Sequence, residues 1–469
     1  MAASDPGFTP ILLTLPSLTP SLALEILPAG LTLHRLYVQA DGKTHDILIG
    51  PEDPTGHIAQ KYTNTIIGRY ANRLPVGSFA LDRDGIHSVV APKANEKPTV
   101  SLHGGVKGFD QYVWEPLVDP SASQLFTPAE LATIQTRIPT SIIFRRISED
   151  GEEGYPGKLL IEALVGLAQP EGLPNQTPDG AKEWNLGSVV LVYRAKLLDE
   201  NKITPINLTQ PHADLASGFR STMEARLPIR QQDLRIRDVD AASWTPHIHW
   251  GFNLDASLQE GPETLSIKDH KIDIKADHIV ELNPEGLSTG KLLAVTGTHH
   301  AHAEKTSGKI GESFPESGYD EFYVLSKRAT TPPPSILPAS ELKPELDLVG
   351  AALSRDGPAA EEVVSLAGAK SGLRISFATN QAGVQFYTNN FALPEKGARK
   401  KIHGGSGSVG DGYGPGTAAF LEFHAPLAAW IHPGVRGPSG EDTLLASGQV
   451  YNNFVRMDVW YKAPSTPSA

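Results

Sequence analysis

The 469-residue sequence contains no cysteine. That absence removes disulfides, thiolate nucleophiles, iron–sulfur clusters and cysteine-based zinc sites together. Methionine is scarce as well, at 3 residues, and no apolar run is long enough to cross a bilayer. The stretch Ile11-Leu12-Leu13 is too short for the apolar part of a secretory leader, and no basic segment precedes it. Positive charge is in deficit: 41 Lys and Arg face 53 Asp and Glu, a net charge of -12. Such a balance repels phosphate backbones and anionic lipid, so neither nucleic acid nor a membrane is an expected partner. Long stripes at helical period are few, the best being Pro128 to Ile138 and Ala359 to Leu366. A cytoplasmic protein is the expectation.

What the chain has in quantity is punctuation, with 44 Gly and 38 Pro. Asp-Gly pairs begin at Asp41, Asp84, Asp150, Asp179, Asp356 and Asp411, and this dipeptide favours the tight turns that join antiparallel strands. Between turns the segments are short and alternate. Val455, Met457, Val459 and Tyr461 interleave with Arg456, Asp458, Trp460 and Lys462. Ile272 and Ile274 interleave with Lys271, Asp273 and Lys275, and Val384, Phe386 and Thr388 with Gln385 and Tyr387. Many strands with few helices between them predict an all-β chain, a large antiparallel β-sandwich. Three stretches break the texture and are read as insertions into one domain spanning 1–469: 169–183, 211–248 and 327–372. The last contains Pro332-Pro333-Pro334, has weak strand character apart from Val363 to Leu366, and reads as an elaborated loop without its own core.

Several segments pair glycine or a small residue with a polar side chain: Gly68 to Arg73, Leu102 to Gly105, Asn207 to Gln210, His249 to Asp255, Gly318 to Asp320, Gly383 to Thr388 and Leu421 to His424. Fixed donors and acceptors with aromatic faces nearby suit a sugar, whose hydroxyls and C–H surfaces need both. Taken in order, these segments resemble the aldose 1-epimerase (galactose mutarotase) family, from about Leu22 to Lys462. The resemblance rests on Gly68-Arg69-Tyr70-Ala71-Asn72-Arg73, on Leu102 to Asp110, on Ser148 to Gly157, on Gly383 to Thr388 and on the closing strands Leu444 to Tyr461.

The resemblance implies a galactose mutarotase-like super-sandwich and an isomerase that interconverts α and β anomers of free aldohexoses such as glucose and galactose, without cofactor or metal. It makes Glu422 the general base and His249 the general acid. Asn72, Arg73 and Gln385 become hydroxyl-binding residues, and His103 and Asp320 orient and charge-tune the site. An Asp320 carboxylate beside the imidazole would keep the acid protonated near neutrality. Each residue also has a plain structural alternative: Arg73 a surface arginine, His103 and Asp320 turn residues, and Tyr70, Trp250 and Tyr387 core or wall. His278, His299, His300 and His302 lack carboxylates spaced for a catalytic ion and read as an exposed loop.

Two departures stand out. Between Asn207-Leu208-Thr209-Gln210 and His249-Trp250-Gly251-Phe252-Asn253-Leu254 lie the 38 residues Pro211 to Ile248, either a loop with closely spaced ends or an unspliced stretch. Removing them restores the family's continuous segment, which selects His249 over His212 and His247. Two residues beyond Glu422, where the family usually has glutamine, stands His424. Two other functions remain open: a non-catalytic sugar-binding or regulatory protein on the same fold, and a hexose-phosphate enzyme, for which Arg69 and Arg73 are the obvious phosphate ligands.

Overall fold

The computed structural model describes residues 5–171, the backbone of 175–176, and residues 182–210, 251–357 and 359–463. His212, His247, His249 and Trp250, with the rest of the 211–248 interruption, lie outside the described residues.

Two of the Asp-Gly pairs build the expected hairpins. Asp41 and Gly42 both have positive φ, 50° and 68°, and close a two-residue turn in which Ala40 pairs with Lys43. Asp84 and Gly85, at 49° and 79°, do the same between Arg83 and Ile86. Positive φ at both central positions gives the turn whose twist matches that of the flanking strands.

The larger sheet has ten strands. Its spine runs Lys271–Ile274, Val364–Ala367, Leu373–Thr379, Gln449–Lys462, Lys182–Leu197, Leu159–Ala168, Thr140–Ser148 and Glu115–Pro116, all neighbours antiparallel. A six-stranded sheet follows the order Gly251–Phe252, Ala419–His424, Gly383–Tyr387, Asp320–Leu325, Ala276–Leu282, Ser288–Ala294. A four-stranded sheet, Ile11–Thr14 to Lys43–Asp46, lies at the N-terminal end. One apolar core joins all three: Leu24 and Leu36, Val189, Leu191, Val455 and Met457, and Val384, Phe386, Leu421 and Phe423. Phe377 of the larger sheet and Phe423 of the six-stranded sheet meet with ring centroids 5.0 Å apart. The fold is thus an antiparallel β-sandwich, as alternation predicts.

Helix Pro128–Arg137 forms where its stripe places it, with Thr127 and Glu130 satisfying each other's backbone N–H groups in a capping box. The second stripe does not become a helix. Val364–Ala367 is a strand, inserted between Lys271–Ile274 and Leu373–Thr379, because β-branched Val363 and Val364 fit the sheet core better than a free-standing helix. The helix of this region is Leu348–Leu353, capped by Asp347. It packs with Phe126, Ile134, Ile138, Val190 and Phe454. The 327–372 stretch therefore carries a strand, Ile336–Pro338, and a helix that covers the second face of the larger sheet. This explains the closing strand, whose polar face is also buried: Arg456 donates to the Ala352 and Ser354 carbonyls, 2.8 Å each. Glu130 and Arg194, both fully buried, join in a two-pronged ion pair beneath this cover, and Glu130 also accepts the Leu348 N–H.

Candidate active site

The six-stranded sheet has two unlike faces. Leu421, Phe423, Val384, Phe386 and Tyr323 point into the core. Successive side chains alternate, so Glu422, Gln385 and Asp320 stand on the other face. Gln385 lies directly opposite Glu422, and Asp320 is opposite Tyr387 on the next strand pair. Gln385 Nε2 donates to Asp320 Oδ1 at 3.0 Å. A carboxylate only accepts, so this contact fixes which end of the amide is which. Glu422 is buried at 1% exposure, and a second ionisable group, His424, sets its Nε2 3.9 Å from Oε2.

The opposing wall comes from the segments around residues 68–73 and 102–110. Strand Arg73–Pro75 pairs with Val100–Leu102, Arg73 opposite Leu102, which brings Asn72 beside His103. Both hold left-handed backbone, φ 65° and 54°. Non-glycine residues in that region collect at functional sites because the surrounding structure must pay their strain. The two residues exchange contacts: His103 N–H donates to the Asn72 carbonyl and Asn72 N–H to His103 Nδ1, both at 3.2 Å. An acceptor Nδ1 leaves the neutral ring with its hydrogen on Nε2, a donor suited to a hydroxyl oxygen. The Tyr62 ring backs the imidazole at 5.1 Å. Gly104, at φ 87°, allows the loop to press on the neighbouring segment; a Cβ there would lie 2.1 Å from the Gly68 oxygen.

One chain of amides joins the walls. Arg73 N–H donates to Asn72 Oδ1 at 2.8 Å, Asn72 Nδ2 to Gln385 Oε1 at 3.3 Å, and Gln385 in turn to Asp320. Asn72, His103, Gln385, Asp320 and Glu422, expected from the sequence to share a site, are thus linked by direct bonds or by strand pairing. The Arg73 guanidinium is gripped by Glu96 through Nε and a terminal nitrogen, 2.8 Å each. Arg69 turns away from the cleft. It donates to the Pro156 and Gly157 carbonyls at 2.9 Å and to Ser148 Oγ at 2.6 Å, tying down the Ser148 to Gly157 segment. Burial lowers its pKa to about 10.

Sequence reasoning missed Glu96 and Tyr62, which lie in no motif, and the structural part of Asn207. Asn207 accepts the Ala425 N–H and donates to the Ala425 carbonyl, 3.0 Å each, anchoring the chain just past His424. Tyr70 and Tyr387 are core residues, at 0% and 1% exposure. His300 and His302 both bond the Tyr323 hydroxyl, at 3.0 and 3.1 Å. Burial first, then neighbouring Lys305 and histidines, holds the His302 ring well below its ordinary pKa. Among the described residues no His, Asp and Glu cluster is arranged to hold a metal ion, and no helix is long and apolar enough to cross a membrane.

The family model for aldose 1-epimerase matches residues 18–173 and 230–418 of this chain. Galactose mutarotase of Bos taurus is 26% identical over 444 residues, 94% of this chain and 91% of that protein. The Homo sapiens galactose mutarotase is 26% identical over 373 residues, 79% and 75% of the two chains. Among solved structures, a GalM/aldose epimerase homologue from C. elegans superposes with TM-score 0.59 at 18% identity, covering 96% of this chain and 99% of that one. Galactose 1-epimerase from Lactobacillus acidophilus NCFM superposes at 0.57 and 14% identity, covering 97% and 99%. These two likenesses concern the fold.

Proposed function

The chain belongs to the aldose 1-epimerase family and is an isomerase, and from that premise we propose that it interconverts the α and β anomers of free aldohexoses, glucose or galactose, with Glu422 as general base and His249 as general acid. Glu422 takes the proton of the C1 hydroxyl. The C1–O5 bond breaks as the C1 carbonyl forms, and the electron pair leaving on O5 takes a proton from the acid. Rotation about C1–C2 presents the other face of the aldehyde. Ring closure then runs with the roles exchanged, so nothing is consumed.

The observation that carries this reading is the polar face on which Glu422 stands opposite Gln385, with Gln385 bonded to both Asn72 and Asp320. Those groups supply donors and acceptors in fixed directions, and His103 adds an Nε2–H. His249 is argued from the sequence; Gly251, two residues after it, pairs with Phe420, two residues before Glu422. The free sugar is favoured over a phosphate ester because both candidate phosphate ligands are already engaged, Arg69 by backbone oxygens and Arg73 by Glu96.

The test is polarimetry of freshly dissolved α-D-glucose and α-D-galactose against the uncatalysed background. The full chain should accelerate the optical change, and Glu422→Gln should abolish the acceleration while sugar binding is kept. Acceleration seen only with a chain lacking 211–248 would make that stretch an inhibitory insertion. A folded full chain and a folded shortened chain that both bind sugar without accelerating would leave the non-catalytic binder.

A further inference from the structure

His424 follows Glu422 by two residues on one strand, so both side chains leave the same face. The imidazole is fully buried. Its Nδ1 lies 2.7 Å from the Ala425 carbonyl oxygen and 3.3 Å from Asn207 Nδ2. A carbonyl oxygen can only accept, so the shorter contact places a hydrogen on Nδ1. The Asn207 amide is oriented independently by its two bonds to the Ala425 backbone, and its NH2 converges on the same carbonyl. With Nδ1 committed there, Nε2 is the nitrogen turned toward Glu422, 3.9 Å from Oε2.

The rest of the surroundings hold the ring in place. From the strand Asp320–Leu325, Phe322 lies against it with centroids 4.7 Å apart. From Gly383–Tyr387, Gly383 is its direct partner across the ladder. A Cβ at Gly383 would come within 2.2 Å of Phe322, so the glycine is what lets that ring approach. Among the described residues, Phe322, Gly383, Asn207, the Ala425 carbonyl and Glu422 face the imidazole, and Glu422 is the ionisable one of these. A neutral Nδ1–H ring would aim the Nε2 lone pair at a carboxylate. A proton on Nε2 turns that repulsion into an ion pair between two buried side chains, where it is weakly screened.

We propose that His424 is a positioning residue for Glu422, charge-paired with it through Nε2, so that the two groups titrate as a unit and the imidazolium holds the carboxylate ready to accept a proton. The inference rests on reading Glu422 as the base. The coupling is reciprocal: whatever His424 does to the proton affinity of Glu422, Glu422 does to that of His424. When Glu422 takes the proton of the sugar hydroxyl, the attraction disappears and His424 binds its own proton less tightly.

Histidine-ring 15N NMR of the full chain tests the pair without requiring activity. The His424 signals are those lost in His424→Asn, a variant that replaces the ring Nδ1–H donor with an amide donor. The imidazolium of His424 should persist about 1–3 pH units higher in the wild type than in Glu422→Gln, the range expected for an opposite charge at this distance. Equal midpoints in the two proteins overturn the proposal. The second measurement is the pH profile of kcat/KM. In folded His424→Asn its acid limb should move up by about one unit or more, as the carboxylate loses its cationic neighbour. An unmoved acid limb in an active variant also overturns it. A wild type that fails to accelerate mutarotation, yet shows the NMR shift, refutes the enzyme reading and leaves the pairing intact.

Discussion

Asp110 closes the Leu102 to Asp110 segment in an unfavourable setting. It is 9% exposed, and among the described residues no other residue donates a hydrogen bond to its side-chain oxygens. Loss of water pushes its pKa from the ordinary 3.8 up to about 7, against smaller opposing pulls from Lys61 and from its own backbone N–H. The folded chain therefore holds the Asp110 proton more tightly than the unfolded chain. Between about pH 4 and pH 7 the native state binds more protons, so stability falls as pH rises through that window. From pH 5 to pH 8 the native carboxyl ionises while the unfolded one is ionised throughout. About two pH units of linkage are spent there, at about 1.4 kcal/mol each, or roughly 3 kcal/mol. Asp110→Asn keeps the shape and removes the titration. Urea unfolding at pH 5 and pH 8 should show the wild type losing about 3 kcal/mol more than the variant across that interval. At about 2.1 cal/mol/K per residue, the matching difference in Tm is about 3 °C. All other titrating groups are common to both proteins and cancel. An identical loss in both would refute the reasoning, showing that Asp110 is solvated or paired in solution.

Three further substitutions probe the architecture around the site. Arg194→Met strands the buried Glu130 charge beneath the 327–372 cover and should cost about 3–5 kcal/mol by urea unfolding, much of it recovered in the double variant with Glu130→Gln. Gly104→Ala puts a methyl where Gly68 oxygen already sits and demands a positive φ, so the His103 loop must move; in polarimetric saturation curves KM should rise several-fold while the sandwich stays folded. Gln385→Leu severs the bonds from Asn72 and to Asp320, and should lower kcat/KM by at least tenfold with a stability loss of only about 1–3 kcal/mol.

The sandwich was legible because its signals are local. A two-residue Asp-Gly turn needs only its own residues, and the alternation of Ile272 with Asp273 or of Val384 with Gln385 reports which face is dry. The same rule misleads at the closing strand. Arg456 and Asp458 stand on the face opposite the apolar residues, yet both are buried, because a helix about a hundred residues earlier in the chain covers them and offers its terminal carbonyls to Arg456. Nothing in the alternation of Gln449–Lys462 announces that cover. The Ala359 to Leu366 stretch carries both a helical stripe and the strand character of Val363 to Leu366, and the strand wins for a related reason. Its apolar spacing suits a helix, but an open slot between two strands of the larger sheet rewards β-branched Val364 more.

At the site, legibility divides by the distance over which a side chain finds its partner. Asn72 and His103 stand in segments whose composition already marks them, and strand pairing then makes them neighbours. Arg69 and Arg73 look alike in the sequence, four residues apart in one motif, and only their partners distinguish them. Arg69 donates to carbonyls 87 and 88 residues away and fixes a turn, whereas Arg73 is held beside Asn72 by Glu96, from a stretch with no motif character. The contact that unites the two walls, Asn72 to Gln385, spans 313 residues and is between two uncharged amides. Composition, periodicity and spacing carry no trace of such a pair. What makes it intelligible afterwards is donor and acceptor accounting: Asp320 can only accept, so Gln385 must donate to it, its oxygen must then accept from Asn72, and Asn72 is left to accept from the Arg73 backbone. The orientation of these two amides is fixed from both ends, by a carboxylate that can only accept and by the Arg73 N–H that can only donate. Asp320→Asn would remove the acceptor-only end with almost no change in shape: Asn72 stays held by the Arg73 N–H, while Gln385 loses its charged partner, and kcat/KM in polarimetric saturation curves should fall as that end of the chain loosens.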